Sequence, residues 1–308
     1  MTRRLFYTDH QVLPLPPEHR FPIEKYRMLR ERLAEDGNFG LEPAPLADLD
    51  VIRLVHDAAY VEGFLAGTLG DQAMRRIGFP WSEGLVKRTL ASVGSTLAAT
   101  REALDKGWGG TLAGGTHHAF AAEGSGFCIF NDIAVATRWL QRVNSGNGSG
   151  SRVGTRRVAV IDLDVHQGDG TAHIFQGDSS VFTLSVHCKA NFPLRKQQSS
   201  LDVELEPGVG DEDYLYALED AVKTVWDFRP EFVFYQSGVD GLASDRLGKL
   251  RLTPEGLKER DRVVMWGIKA LGVPLVITIG GGYSAPIAFT AEAHANTFRT
   301  AAEVLGTR

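Results

Sequence analysis

The stretch "VAVIDLDVHQGDG" (residues 158–170) decides the fold. Its first half is apolar and β-branched, the pattern of a strand covered on both faces. Its second half places Asp162, Asp164, His166 and Asp169 within eight positions, in a segment that also supplies Gly168 and Gly170. Open parallel sheets bind their ligands at the carboxyl ends of their strands. A core strand that ends in three carboxylates and an imidazole is therefore read as one whose carboxyl end carries chemistry.

Working outward, similar apolar runs recur at "RLFY" (4–7), "GTLAG" (110–114), "RVAVIDL" (157–163), "VFTLSV" (181–186), "FVFYQS" (232–237) and "PLVITIG" (274–280). Helical patterns lie between them at 22–36, 82–107, 131–143, 211–228, 253–271 and 284–305. Pro22, Ser82 and the Thr253–Pro254 pair are start signals; Gly37 and Gly107 are stops. Strands alternating with helices of this length predict an α/β fold with three αβα layers around a central, mainly parallel sheet. "NSGNGSGSRVG" (144–154) is the one low-complexity stretch. Because the strands on both sides of it read as parts of one sheet, it is taken as a surface connection, and residues 1–308 as a single domain.

The composition sets bounds. A chain of 308 residues buries about 75% of the surface exposed by its unfolded form, so it needs no staples. Lys and Arg total 33 against 38 Asp and Glu, a net charge of −5 that argues against a nucleic-acid-binding face. The two cysteines, Cys128 and Cys188, form no C-x-x-C motif, which excludes a cysteine-based zinc site and a thioredoxin-like motif. Reduced thiols and the lack of an apolar run long enough to span a bilayer predict a cytoplasmic protein with no membrane partner.

Three further strand ends bear functional groups: "LAGGTHHAF" (112–120), "FYQSGVDGLASD" (234–245) and "ITIGGGYSA" (277–285). Singly, each has a plain structural reading, and His10, His56, His173 and His187 are read as structural. Jointly they supply the parts of a metal-assisted hydrolase. Asp164 and His166 lie two apart, so if the strand continues they project to one side. Asp240 is the best third ligand, and three protein ligands leave room for water and substrate. Two carboxylates and a neutral imidazole balance a divalent metal, zinc in the first place and ferrous iron in the second. His117 and His118 have charge partners available in Asp162 and Asp169, which would orient the rings and raise their pKa. A histidine beside an activated water suits a general base, and the Tyr283 hydroxyl suits a developing oxyanion. No G-x-S-x-G motif offers a rival nucleophile.

In order, "GGTHHAF" (114–120), "GFCIFNDIAVA" (126–136), "VIDLDVHQGDGT" (160–171), "SGVDGL" (237–242), "SDRLGKL" (244–250) and "GGGYS" (280–284) resemble the zinc-dependent histone deacetylases, which have the arginase–deacetylase fold. The resemblance runs from Tyr7 to the last helix. "DVHQGDG", "SDRLGKLRLTPEGLKERD" and the short chain look most like class IV deacetylases and their bacterial relatives. The resemblance implies Asp164, His166 and Asp240 as zinc ligands. It implies His118 as general base, His117 as its electrostatic partner, Asp162 and Asp169 behind them, and Tyr283 as the transition-state tyrosine. Gly126, Phe127 and Phe192 would line an acyl-lysine channel. A structural potassium ion would use Asp162, Asp164, His166, Ser185 and Val186, and an outer one carbonyls near Phe175, Asp178 and Val181.

The sequence also departs from its relatives. Gln167 stands where many class I and II enzymes have a second histidine. Asp169 is kept where class IV relatives can carry asparagine. Gly168 and Leu242 replace the extra metal-binding carboxylates of arginases, which implies one catalytic metal and amide hydrolysis. The expected reaction is hydrolysis of N-ε-acyl-lysine, acetyl or longer, in a protein or peptide. The alternatives are an acetylpolyamine or other small amide, expected to go with acidic residues at the channel mouth, and, remotely, a non-catalytic binding module.

Overall fold

The computed structural model describes residues 2–143 and 157–306. The 144–154 connection lies outside the described residues. Among those described, eight strands form one sheet in the order β2-β1-β3-β8-β7-β4-β5-β6. They are β1 (Arg3–Tyr7), β2 (Phe39–Pro43), β3 (Trp108–Thr111), β4 (Val158–Asp162), β5 (Val181–Cys188), β6 (Leu201–Leu205), β7 (Phe232–Ser237) and β8 (Leu275–Ile279). Every neighbouring pair runs parallel.

The buried run at the head of the opening stretch explains the layering. Along β4, Val158 and Val160 join one core, while Ala159 and Ile161 join the other. β7 repeats this, with Phe232 and Phe234 on the first side and Val233 and Tyr235 on the second. Strands with two apolar faces need helices on both. The first side is covered by α2 (Leu49–Ile52), α3 (Ala58–Ala66), α4 (Asp71–Ile77), α5 (Glu83–Lys106) and α6 (Asp132–Val143). The short α7 (Asp169–Ile174) follows β4. The second side is covered by α1 (Glu24–Asp36), α8 (Asp211–Asp227), α9 (Pro254–Leu271) and α10 (Ile287–Leu305). This is the three-layer architecture of the arginase–deacetylase fold.

The Ser82, Thr253–Pro254 and glycine signals act as the sequence predicts, but Pro22 does not open its helix: α1 starts at Glu24, with Ile23 at the N-cap. The Ser82 hydroxyl accepts from Leu85 N at 3.1 Å and the Thr253 hydroxyl from Gly256 N at 3.0 Å. Gly37 and Gly107 take the left-handed conformation that ends α1 and α5. Other bounds shift too. The strand expected at 110–114 is β3 at Trp108–Thr111. The last helix begins at Ile287 rather than at residue 284, because Pro286 occupies the N-cap. β4 stops at Asp162 and does not continue through His166.

Candidate active site

The four functional strand ends belong to β3, β8, β7 and β4, which are consecutive neighbours in the sheet. Their carboxyl-terminal loops therefore converge. Within the opening stretch the chain leaves β4 by local turns. The Asp162 carboxylate accepts from Asp164 N at 3.1 Å, and the Asp164 carboxylate accepts from His166 N at 3.0 Å. These side-chain-to-backbone bonds, not strand alternation, bring Asp164 and His166 together.

Asp164, His166 and Asp240 each offer a ligand atom within 4.8 Å of the others. His166 Nδ1 lies 3.0 Å from Asp164 Oδ1 and 3.1 Å from Asp240 Oδ2. Both carboxylates are fully buried. No lysine or arginine ion-pairs with either among the described residues. Burial and the neighbouring Asp164 charge push Asp240 up to about 7. Burial opposes the charge on His166, but its bonds to Asp164 and Asp240 hold it at about 10. Without a metal the cluster draws in protons to offset its buried carboxylates, and a divalent cation that displaces them fits the same donor set.

Glycine makes the cluster possible. A Cβ on Gly281 would stand 1.8 Å from Asp240 Oδ2, while Gly281 N donates to Asp164 Oδ2 at 2.6 Å. The "GGGY" run thus packs its backbone against the carboxylates of this candidate metal cluster.

Beside the cluster, His117 Nδ1 pairs with Asp162 at 2.7 Å and His118 Nδ1 with Asp169 at 2.6 Å, as expected. All four side chains are buried and the two rings lie 4.0 Å apart. The protein groups alone split their titration. Burial pulls His117 down, but Asp162, Asp164 and Asp169 overcome it and set about 9. Burial and the charge on His117 hold His118 down at about 4, against Asp169. The expectation that both carboxylates raise their histidines is corrected for His118: two adjacent buried cations repel, and desolvation disfavours the second.

Tyr283 lines the same pocket, and burial keeps its hydroxyl protonated far above the ordinary tyrosine range. Its backbone is held by Asp245, which accepts Tyr283 N at 2.6 Å, and by Arg246, whose Nε donates to Tyr283 O at 3.0 Å. The pocket holds about 420 Å³ and is walled by Phe127 and Phe192. Gly126 (φ 54°) and Phe127 (φ 66°) are both left-handed, and a Cβ on Gly126 would lie 2.8 Å from the His118 ring. Their amides are fixed by Arg76 O and Ile77 O at the end of α4.

The expected cation-site residues lie on β4, β5 and the adjoining loops. Asp162 pairs in register with Ser185, and Val186 follows, buried. At the outer set, Phe175 O already accepts Asp178 N, and Asp178 O accepts Val181 N. His56 and His187 are buried and do not line this pocket.

Three site residues escaped the sequence reading. Asp132 accepts Gly115 N, Thr116 N and the Thr96 and Thr116 hydroxyls, so it holds the loop before His117. Asp245 positions Tyr283. Both lie inside recognisable motifs, which was the available signal. Lys25 is buried in α1, donates to Gly280 O at 3.0 Å and lies over the Tyr283 ring at 5.5 Å. Nothing in its helical pattern marks it.

Fold and site together define a hydrolase of the deacetylase type. The sequence profile of the histone deacetylase domain matches residues 19–299, and the chain belongs to that family. It is 46% identical over 305 residues to an uncharacterized protein of Picosynechococcus sp., covering 97% of this chain and 98% of that one. It is 29% identical over 289 residues to histone deacetylase 2 of Arabidopsis thaliana, covering 89% and 72%. It is 28% identical over 298 residues to a probable deacetylase of Archaeoglobus fulgidus, covering 90% and 79%. No helix among the described residues is long and apolar enough to cross a membrane.

Proposed function

We propose that the chain is one zinc-dependent catalytic domain, of class IV type, that hydrolyses N-ε-acyl-lysine in proteins or peptides in the cytoplasm. The observation that carries this reading is the convergence, in one buried pocket, of the Asp164–His166–Asp240 cluster, two His–Asp pairs and Tyr283. Those three ligands would hold the zinc, or ferrous iron in its place. Bound there, the metal would polarise the amide carbonyl and lower the pKa of a water toward about 7.

The chain's own groups do the rest. His118, kept neutral by burial and by its neighbour, accepts the water proton at Nε2, while Asp169 fixes its tautomer through Nδ1. His117, kept protonated by Asp162, supplies positive charge beside the developing oxyanion. Tyr283 donates its hydroxyl to that oxyanion. The proton taken up by His118 returns to the leaving lysine amine. Phe127 and Phe192 pack the lysine stem, and Gly126 leaves room beside His118. Asp162, Asp164, His166, Ser185 and Val186 would hold a structural potassium ion under the site.

Acyl-lysine is favoured over a polyamine by the charge of the pocket. Its charged lining residues, apart from Asp164 and the histidines, are Lys25 and Arg76. Among the described residues the pocket lining holds no acidic side chain besides Asp164, and the nearby Glu123 is ion-paired with Arg76. The test is a kinetic panel: one lysine peptide carrying acyl groups from acetyl to myristoyl, beside acetylated polyamines. The reading predicts metal-dependent turnover of at least one acyl-lysine and weak turnover of the polyamines. A polyamine preferred over every peptide would overturn the substrate assignment.

A further inference from the structure

Gln167 follows the metal-binding His166 directly and is fully buried, yet it faces away from the metal cluster. Both N–H donors of its amide are used, and its oxygen accepts as well. Nε2 donates to Gln197 O at 2.7 Å and to Asp202 Oδ1 at 2.7 Å; Oε1 accepts from Gln197 N at 2.8 Å. It therefore grips both backbone polar groups of one residue, as a neighbouring strand would, together with a carboxylate. An imidazole has two ring nitrogens that point apart and cannot make this set of bonds. Asp202, on β6, passes the restraint on, because its other oxygen accepts Ser199 N at 2.8 Å.

The segment so gripped is the 189–200 loop, which carries Phe192. The Phe192 ring stands edge-on to the His118 ring at 4.9 Å. The near end of the loop has its own anchors. Asn191 donates to Leu247 O at 2.7 Å and accepts Lys249 N at 3.0 Å, and Lys196 Nζ bonds the carbonyls of Asn191 and Pro193. The far end is fastened to the loop of His166 by Gln167. Phe192 thus hangs between two fixed ends, and both reach the loop of His166: the near end through Asn191, whose Nδ2 lies 3.4 Å from His166 Nε2, and the far end through Gln167.

We infer that Gln167 is a positioning residue that sets the width of the acyl-lysine channel by holding the 189–200 loop, and with it Phe192, against the loop of His166. The inference rests on the hydrolase reading above. Gln167 touches neither the reacting atoms nor the metal-binding atoms. Loosening it costs contact with the lysine stem rather than chemistry, so KM rises while kcat holds.

The test measures kcat and KM for an acyl-lysine peptide, and the inhibition constant of acetohydroxamate, which has an acyl group but no lysine stem. Gln167→Glu keeps the length but loses both N–H donors and meets Asp202 with like charge. It is expected to raise KM about tenfold, with kcat, acetohydroxamate inhibition and metal content within about twofold of wild type. Adding Asp202→Asn restores a donor across the pair and should recover most of the KM. Asp202→Ala, from a half-buried position, should give the same KM-only defect if Gln167→Glu does not fold. A fall in kcat, an equal weakening of acetohydroxamate, or an unchanged KM overturns the inference; so does the absence of rescue. A wild-type protein inactive on the peptide overturns the hydrolase reading and this inference with it, whereas an active wild type with unaffected variants overturns the inference alone.

Discussion

At the residue scale, the opening stretch divides its charges by direction. Asp164 and His166 face Asp240, whereas Asp162 and Asp169 face the two histidines brought in after β3. The division predicts separable losses. Tyr283→Phe removes only a hydroxyl, and the backbone bonds to Asp245 and Arg246 that seat the residue remain. Turnover is expected to fall about 10²–10³-fold with metal content unchanged. Activity within a few-fold of wild type would remove Tyr283 from the oxyanion role. Gly281→Ala acts from the opposite side, since the new methyl would collide with Asp240 Oδ2. Elemental analysis should find the metal lost or greatly weakened in that variant, and a full equivalent would mean that the loop has slack the packing denies.

At the scale of elements, the centre of the sheet was legible in the sequence and its edges were not. β4 and β7 are covered on both faces, so their runs are continuously apolar and unmistakable. β2 reads "FGLEP" and β6 reads "LDVEL". They are the two edges of the sheet, half-buried and interrupted by polar residues, so no apolar run announces them. α3 and α4 were missed because short helices carry too few turns to show a period. Asp164 and His166 were paired correctly for an insufficient reason. The spacing suggested a strand, but the chain pairs them through side-chain turns that only the folded backbone displays. The sheet itself depends on close packing against α5. A Cβ on Gly109 of β3 would stand 2.2 Å from Ala99 O. Gly109→Ala should destabilise the protein by about 1–3 kcal/mol through overpacking. Gly210→Ala, in open space, should cost about 1 kcal/mol or less. Denaturant titration of the two variants checks the contrast, and equal midpoints would refute the packing argument.

At the scale of the whole molecule, stability should depend on pH through buried neutral histidines. His56 Nε2 accepts Asn131 N at 2.9 Å, and Nδ1 lies 3.2 Å from Ala121 O, a pattern only the neutral ring satisfies. Burial pushes it down to about 4 from its ordinary 6.5. Between those values the unfolded chain binds a proton that the folded chain refuses. Stability is therefore full above pH 6.5 and falls as pH drops toward 4, by about 3 kcal/mol from His56 alone. His56→Gln keeps a donor and an acceptor but does not titrate, so its unfolding free energy should decline less over that range. Identical pH profiles for the two proteins would contradict the assignment.

The central claim is that a buried cluster after β4 and β7, beside the groups that follow β3 and β8, holds a single metal that makes an amide-hydrolysing site of the whole. Its most direct test is zinc titration of chelator-treated protein, followed by hydrolysis of an acyl-lysine peptide. The account predicts that activity rises to a plateau at about one equivalent of zinc, and that Asp240→Ala neither retains the metal nor recovers turnover. Full hydrolysis in chelated protein, or an Asp240→Ala variant that binds one equivalent and turns over normally, would contradict it.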